Sequence, residues 1–79
     1  MAPADLLHAL QKRPFQAFRI YLTDGRSFDV RHPELLLPGR RTVILGIQAP
    51  NNPEPLADQT IRIDLVHIVT LEPIEAVQT

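Results

Sequence analysis

Residues 18–34 read FRIYLTDGRSFDVRHPE. Apolar and polar residues alternate on both sides of Thr23-Asp24-Gly25, the pattern of two half-buried strands meeting at a turn. The length of the turn decides which faces meet. A two-residue Asp24-Gly25 loop pairs Tyr21 with Phe28 and sends the two apolar sets to opposite faces. A three-residue Thr23-Asp24-Gly25 loop pairs Leu22 with Arg26, Ile20 with Phe28 and Phe18 with Val30, which gathers every apolar side chain on one face. It also sets Arg19 across from Asp29 and puts Gly25 in the left-handed position that closes this class of hairpin. A slip of one residue would turn every side chain over, so the sequence predicts the second register.

A greasy face needs a cover. Upstream, APADLLHALQKR predicts a helix over about 3–13. Pro3 suits a first helical position, Asp5 sits near the positive end of the dipole, and Leu6, Leu7 and Leu10 form an apolar stripe. Pro14 ends it. Three turns are too few to stand alone in water, so the stripe is expected to pack on the ribbon, with Phe15 beneath it.

Downstream, His32-Pro33 kinks the chain and Leu35-Leu36-Leu37 is a short apolar run. Leu37-Pro38-Gly39-Arg40 fits a type II turn. Residues 41–47 (RTVILGI) are apolar on both faces and read as an interior strand, with Gly46 marking a bend or a close contact. Residues 48–58 (QAPNNPEPLAD) are a loop, since three prolines and two asparagines exclude regular structure. Residues 60–73 fit two short strands, about 60–64 and 66–71, joined by a bend near Asp64-Leu65 and ended by Pro73. The last residues, EAVQT, read as a frayed tail.

The expectation is therefore an α+β, mainly β single domain over 1–79. A helix is followed by a strongly bent five-stranded antiparallel sheet or small barrel, with strands near 17–22, 26–31, 41–47, 60–64 and 66–71. A chain of 79 residues buries too little surface to be more than marginally stable alone. The apolar last strand leaves an edge that invites pairing with another chain. Both features point to a homo-oligomer. No stretch approaches the ~18 consecutive apolar residues of a membrane span, and the N-terminus lacks a basic lead and an apolar signal core. A soluble, cytoplasmic protein with no membrane partner is expected.

Two resemblances follow from these motifs. PFQAFRIYLTDGRSFDVRHPE, followed by a Pro-rich loop and DLVHI, resembles a group of short bacterial proteins of no assigned function, a likeness that covers nearly the whole chain and implies no activity. Helix and strand order is also similar to that of Sm-like proteins, with IYLTDGRSFDV resembling their first segment and IRIDLVHIV their second. That resemblance implies a small curled barrel, rings formed by strand pairing between subunits, and RNA bound on loop residues. Arg62 matches the Arg of the second segment, whereas Ile63 and Leu65 replace its Gly and Asn, and HPELLLPGR replaces the loop of the first.

Charge is divided along the chain. Residues 1–41 carry seven Lys or Arg and four acids, and residues 42–79 carry only Arg62 against five acids. The split suits a nucleic-acid face or, better given the net charge of −1, complementary faces of one fold or of neighbouring subunits. Arg26, Arg31, Arg40, Arg41 and Arg62 are the candidate RNA- or anion-binding residues. They could line one rim, but alternate turns of a meander lie at opposite ends, which divides them into two patches. Only Tyr21 among four aromatics is expected to face outward, so base stacking has little to work with.

The chemistry of an enzyme is thinly represented. There is no cysteine, and Ser27 has no histidine predicted nearby. His8, His32 and His67 lack metal-ligand spacing, so neither a metal nor a cofactor is expected. His8 reads as a surface helix residue and His67 as filling one face of a strand. His32 oriented by Glu34 is the one candidate general base; its simpler role is to terminate the strand. The function expected is a small non-enzymatic binding or assembly module that self-associates through strand edges, with an Sm-like RNA-binding ring and a His32–Glu34 enzyme as alternatives.

Overall fold

The computed structural model describes residues 1–74; the expected frayed tail, 75–79, lies outside the described residues. The decisive hairpin is formed by β1 (Phe18–Leu22) and β2 (Ser27–Val30). Phe18 faces Val30, Arg19 faces Asp29, Ile20 faces Phe28 and Tyr21 faces Ser27. The Leu22 N–H donates to the Arg26 carbonyl at 2.9 Å and the Gly25 N–H to the Leu22 carbonyl at 3.0 Å, so the loop has three residues. Gly25 has φ +89°, the left-handed conformation this loop requires. Phe18, Ile20, Leu22 and Val30 are buried. Phe28 shares their face but is only half-buried, because β2 is an outer strand.

The remaining strands are β3 (Leu36–Pro38), β4 (Thr42–Ile47), β5 (Gln59–Asp64) and β6 (Ile68–Pro73). They make two three-stranded antiparallel sheets, ordered β2–β1–β6 and β3–β4–β5. The expected single five-stranded sheet is thus six strands in two sheets, not closed into a barrel. Pro33 supplies the reason. It opens a 3₁₀ turn (Pro33–Leu35) that breaks the run between β2 and β3. The short apolar run, which none of the five expected strands included, then forms a third strand, with Leu36, Leu37 and Pro38 facing Leu45, Ile44 and Val43.

Strand limits shift accordingly. β2 is shorter than 26–31, and β6 starts two residues later than 66–71 and runs to Pro73. Between β5 and β6 a second 3₁₀ turn (Leu65–His67) occupies the expected bend, capped by the Asp64 carboxylate, which accepts the Val66 N–H at 3.0 Å. The interior position of β4 agrees with its apolar sequence: Val43 and Leu45 are buried. The type II turn at Leu37–Arg40 does not form, since Gly39 lacks the positive φ that class requires. Gly39 instead donates to the Thr42 carbonyl at 2.7 Å, and a Cβ there would lie 3.0 Å from that oxygen.

The helix α1 (Pro3–Leu10) is shorter than expected, ending at a Gln11 N–H donating to the Leu7 carbonyl at 2.9 Å. Restriction of the chain ahead of Pro14 keeps Lys12 and Arg13 out of it. Leu6 is 0% exposed and Leu10 half-buried, so the face follows the i, i+4 spacing, while Leu7 turns to solvent at 44% exposed. Phe15 packs edge-on to Phe18 with ring centroids 6.0 Å apart. Leu6 joins Ile20, Val43, Leu45, Ile63, Leu65 and Ile68 in one core between the sheets. No helix among the described residues is long and apolar enough to cross a membrane.

Candidate functional site

Two clefts carry most of the polar chemistry. The first lies where β2 and the end of β4 diverge. It has a volume of about 530 Å³, and its lining includes Arg19, Asp29 and Arg31 on one side and Gly46, Gln48 and Asn52 on the other. Arg19 Nε meets Asp29 Oδ1 at 2.6 Å, and an Arg31 guanidinium nitrogen meets Asp29 Oδ2 at 3.1 Å. The cross-strand pair predicted from register therefore forms, and a third residue joins it. The bonds donated by Arg19 hold the Asp29 carboxyl below the usual carboxylate range, and Asp29 in turn raises the Arg19 guanidinium.

The far wall of this cleft is the 48–58 loop, which is built around two side chains. Asn52 donates through Nδ2 to the Leu56 carbonyl at 2.9 Å and to Asp58 Oδ2 at 3.1 Å, and its Oδ1 accepts the Glu54 N–H at 3.0 Å. Asp58 also accepts the Ala49 N–H at 2.6 Å. That backbone bond, followed by the one from Asn52, lowers the Asp58 pKa. Gln48 donates to the Glu54 carbonyl. At Gly46 a Cβ would sit 2.9 Å from the Ala57 Cβ and 3.2 Å from a Leu35 methyl, so the close contact expected of this glycine is where the loop and the first 3₁₀ turn press on β4.

The second cleft, about 460 Å³, lies between the β1–β2 turn and β5. It brings together Arg26 and Arg62, with Asp24, Asp64 and His67. Arg26 is already engaged. Its Nε meets Asp24 Oδ2 at 2.8 Å and its guanidinium carbon lies 5.8 Å from the centre of the Phe28 ring. Asp24 is held below its ordinary pKa, chiefly by the Arg26 N–H. Arg62 is exposed and has no carboxylate partner among the described residues.

His67 departs from the strand-face role expected of it. It ends the second 3₁₀ turn, exposed, with Nδ1 at 3.2 Å from the Thr23 hydroxyl and its carbonyl accepting the Thr23 N–H at 2.9 Å. At the other side of the same turn the Leu65 N–H donates to the Arg41 carbonyl at 2.8 Å. The β1–β2 and β3–β4 hairpin ends thus both abut this 3₁₀ turn. The division of the arginines by alternate ends is replaced by a different one: Arg26, Arg41 and Arg62 belong to segments bordering the second 3₁₀ turn, with Arg40 next to Arg41, while Arg31 lines the other cleft. The signal for this arrangement was the Asp64 cap, which marks the 3₁₀ turn locally. Its two long-range bonds had no local signal.

His32 is half-buried, and its carbonyl accepts the Leu35 N–H at 3.1 Å at the start of the first 3₁₀ turn. Glu34 is exposed, and no hydrogen bond links the two side chains among the described residues. Neither residue lines the two clefts. No three His, Asp or Glu side chains converge on a possible metal position among the described residues. Comparison of the chain with family models, curated proteins and solved structures finds no match.

Proposed function

We propose that this protein is a non-enzymatic assembly module that associates with copies of itself through the edges of β5 and β6. The carrying observation is the unequal treatment of the four sheet edges. β2 is four residues long and β3 is three residues long. Short length is one of the usual guards against pairing with another sheet. β5 and β6 are each six residues long and have no strand on their outer sides. Val66 and Val69 beside them are 69% and 55% exposed. Arg62 on β5 and Glu72 on β6 carry opposite charges and have no ion partner among the described residues, which favours β5 of one copy meeting β6 of the next. Light scattering on a sizing column tests this: the protein elutes as a multimer. Val69→Lys, or Thr60→Pro, which removes an outward-facing donor without touching the β4–β5 ladder, returns it to the monomer mass. A strict monomer at high concentration refutes the proposal.

The pairing of Arg26 and Arg62 in one cleft favours a second reading, an RNA-binding ring of the Sm-like kind. Counting β2, the first 3₁₀ turn and β3 as one bent strand gives a helix and five strands in the order that resemblance implies. This reading expects co-purifying nucleic acid and a salt-sensitive shift of labelled RNA that Arg62→Glu abolishes. Absence of any shift at low salt removes it.

A further inference from the structure

The two sheets part at one place where strand backbone is left uncovered. One wall is the outer edge of β2. Bonds from β1 reach Arg26, and the register continues through Phe28 and Val30. Alternation along an antiparallel ladder then turns the N–H and C=O groups of Ser27 and Asp29 away from β1. The other wall is the end of β4. Thr42 bonds towards Gly39, so the even-numbered residues of β4 face β3. β3 stops at Leu36 opposite Leu45, and Gly46 beyond it has no strand on that side. The backbone groups of Ser27 and Asp29 have no strand beyond them, and both residues line the 530 Å³ cleft together with Gly46. Its floor is apolar, with half-buried Phe28, Leu35 and Ile47. Its rim carries one carboxylate, Asp29, shared by two guanidiniums, Arg19 and Arg31, which leaves one positive charge over.

We propose that this cleft takes an extended peptide segment of a partner protein, acidic and with apolar side chains at alternate positions, which adds as a strand to the outer edge of β2. Each part of the cleft matches one part of such a segment. The open backbone of Ser27 and Asp29 pairs with its main chain. The Phe28, Leu35 and Ile47 floor takes the side chains that point inward at every second residue. The surplus charge at Arg19 and Arg31 meets a carboxylate on the alternate positions. A four-residue edge is a poor template for another sheet, but a single extended segment is held here by the cleft floor and the surplus charge as well, so the inference stands apart from self-association through β5 and β6.

The test is a titration of the ¹⁵N-labelled protein with a capped heptapeptide of alternating glutamate and leucine. Amide shifts are expected to cluster at Ser27–Arg31 and around Gly46–Asn52. Replacing the glutamates by lysine, or using Arg31→Glu, should weaken binding by about tenfold, the order of one partly exposed charge pair. N-methylation of alternate peptide amides should abolish it, and Ser27→Pro, a substitution an outer strand tolerates at its first residue, should weaken it comparably. No shifts at millimolar peptide, shifts confined to the Arg26–Arg62 cleft, or equal binding of the N-methylated peptide would each overturn the proposal. Shifts at the same residues on concentrating the protein alone would assign the cleft to a second copy and overturn it as well.

Discussion

Ile20 and Gly25 sit five residues apart and fail in different ways when changed. Ile20 is 0% exposed at the centre of β1. Truncation to alanine removes buried methylenes and leaves a cavity, so Ile20→Ala is expected to cost about 2–5 kcal/mol, read as a lower midpoint in urea unfolding. In a domain whose total stability is of the order of 5–15 kcal/mol, that is a large share. Gly25 has open space where a Cβ would go, and its φ of +89° is the whole difficulty. Gly25→Ala should therefore cost about 1–2 kcal/mol without changing the core, visible as a lower melting temperature with unchanged near-ultraviolet dichroism. Both residues were legible in the sequence, because the alternation and the Thr-Asp-Gly turn are local. Gly39 was not: it is required by the approach of the Thr42 carbonyl rather than by its dihedrals.

At the scale of elements, propensity and pattern located the helix and the apolar strands, and failed where a short segment depended on its neighbours. Leu36–Pro38 is a strand only because β4 offers it a partner. Three residues ending in proline have no strand signal of their own. The 48–58 loop shows the same dependence. Its composition excludes regular structure, yet it is ordered by the side chains of Asn52 and Asp58. Asn52→Ala removes three bonds at once. It is expected to destabilise the protein by about 1–2 kcal/mol, given net values of about 0.5–1.5 kcal/mol per bond and partial exposure. Hydrogen exchange should show faster amides at Ala49 and Glu54, with the Phe18–Val30 ladder unaffected. Unchanged exchange in the loop would mean that Asn52 does not organise it.

For the whole molecule, the carboxylates give stability an acid limit. Asp24, Asp29 and Asp58 are all held below the ordinary aspartate value by bonds made only in the folded state. A depressed folded pKa contributes stability that is complete above the unfolded value, about 3.9, and is lost as pH falls through the folded values. These three carboxylates are therefore expected to make the urea midpoint fall as the pH drops below about 4. Asp29→Asn should flatten part of that fall, and a midpoint independent of pH would contradict the assignment. The candidate clefts belong to this scale too. The sequence named Arg26, Arg31 and Arg62, but which of them share a cleft depends on two backbone bonds from the second 3₁₀ turn, Thr23 to His67 and Leu65 to Arg41. What the sequence determined by itself was the hairpin: its register, its buried face and its Arg19–Asp29 pair, all set by side-chain alternation and one left-handed glycine within a dozen residues. What only the tertiary structure decided was the parting of the strands into two sheets and the cleft left between them. Those features follow from contacts between segments far apart in the chain, whose free energy no local pattern records.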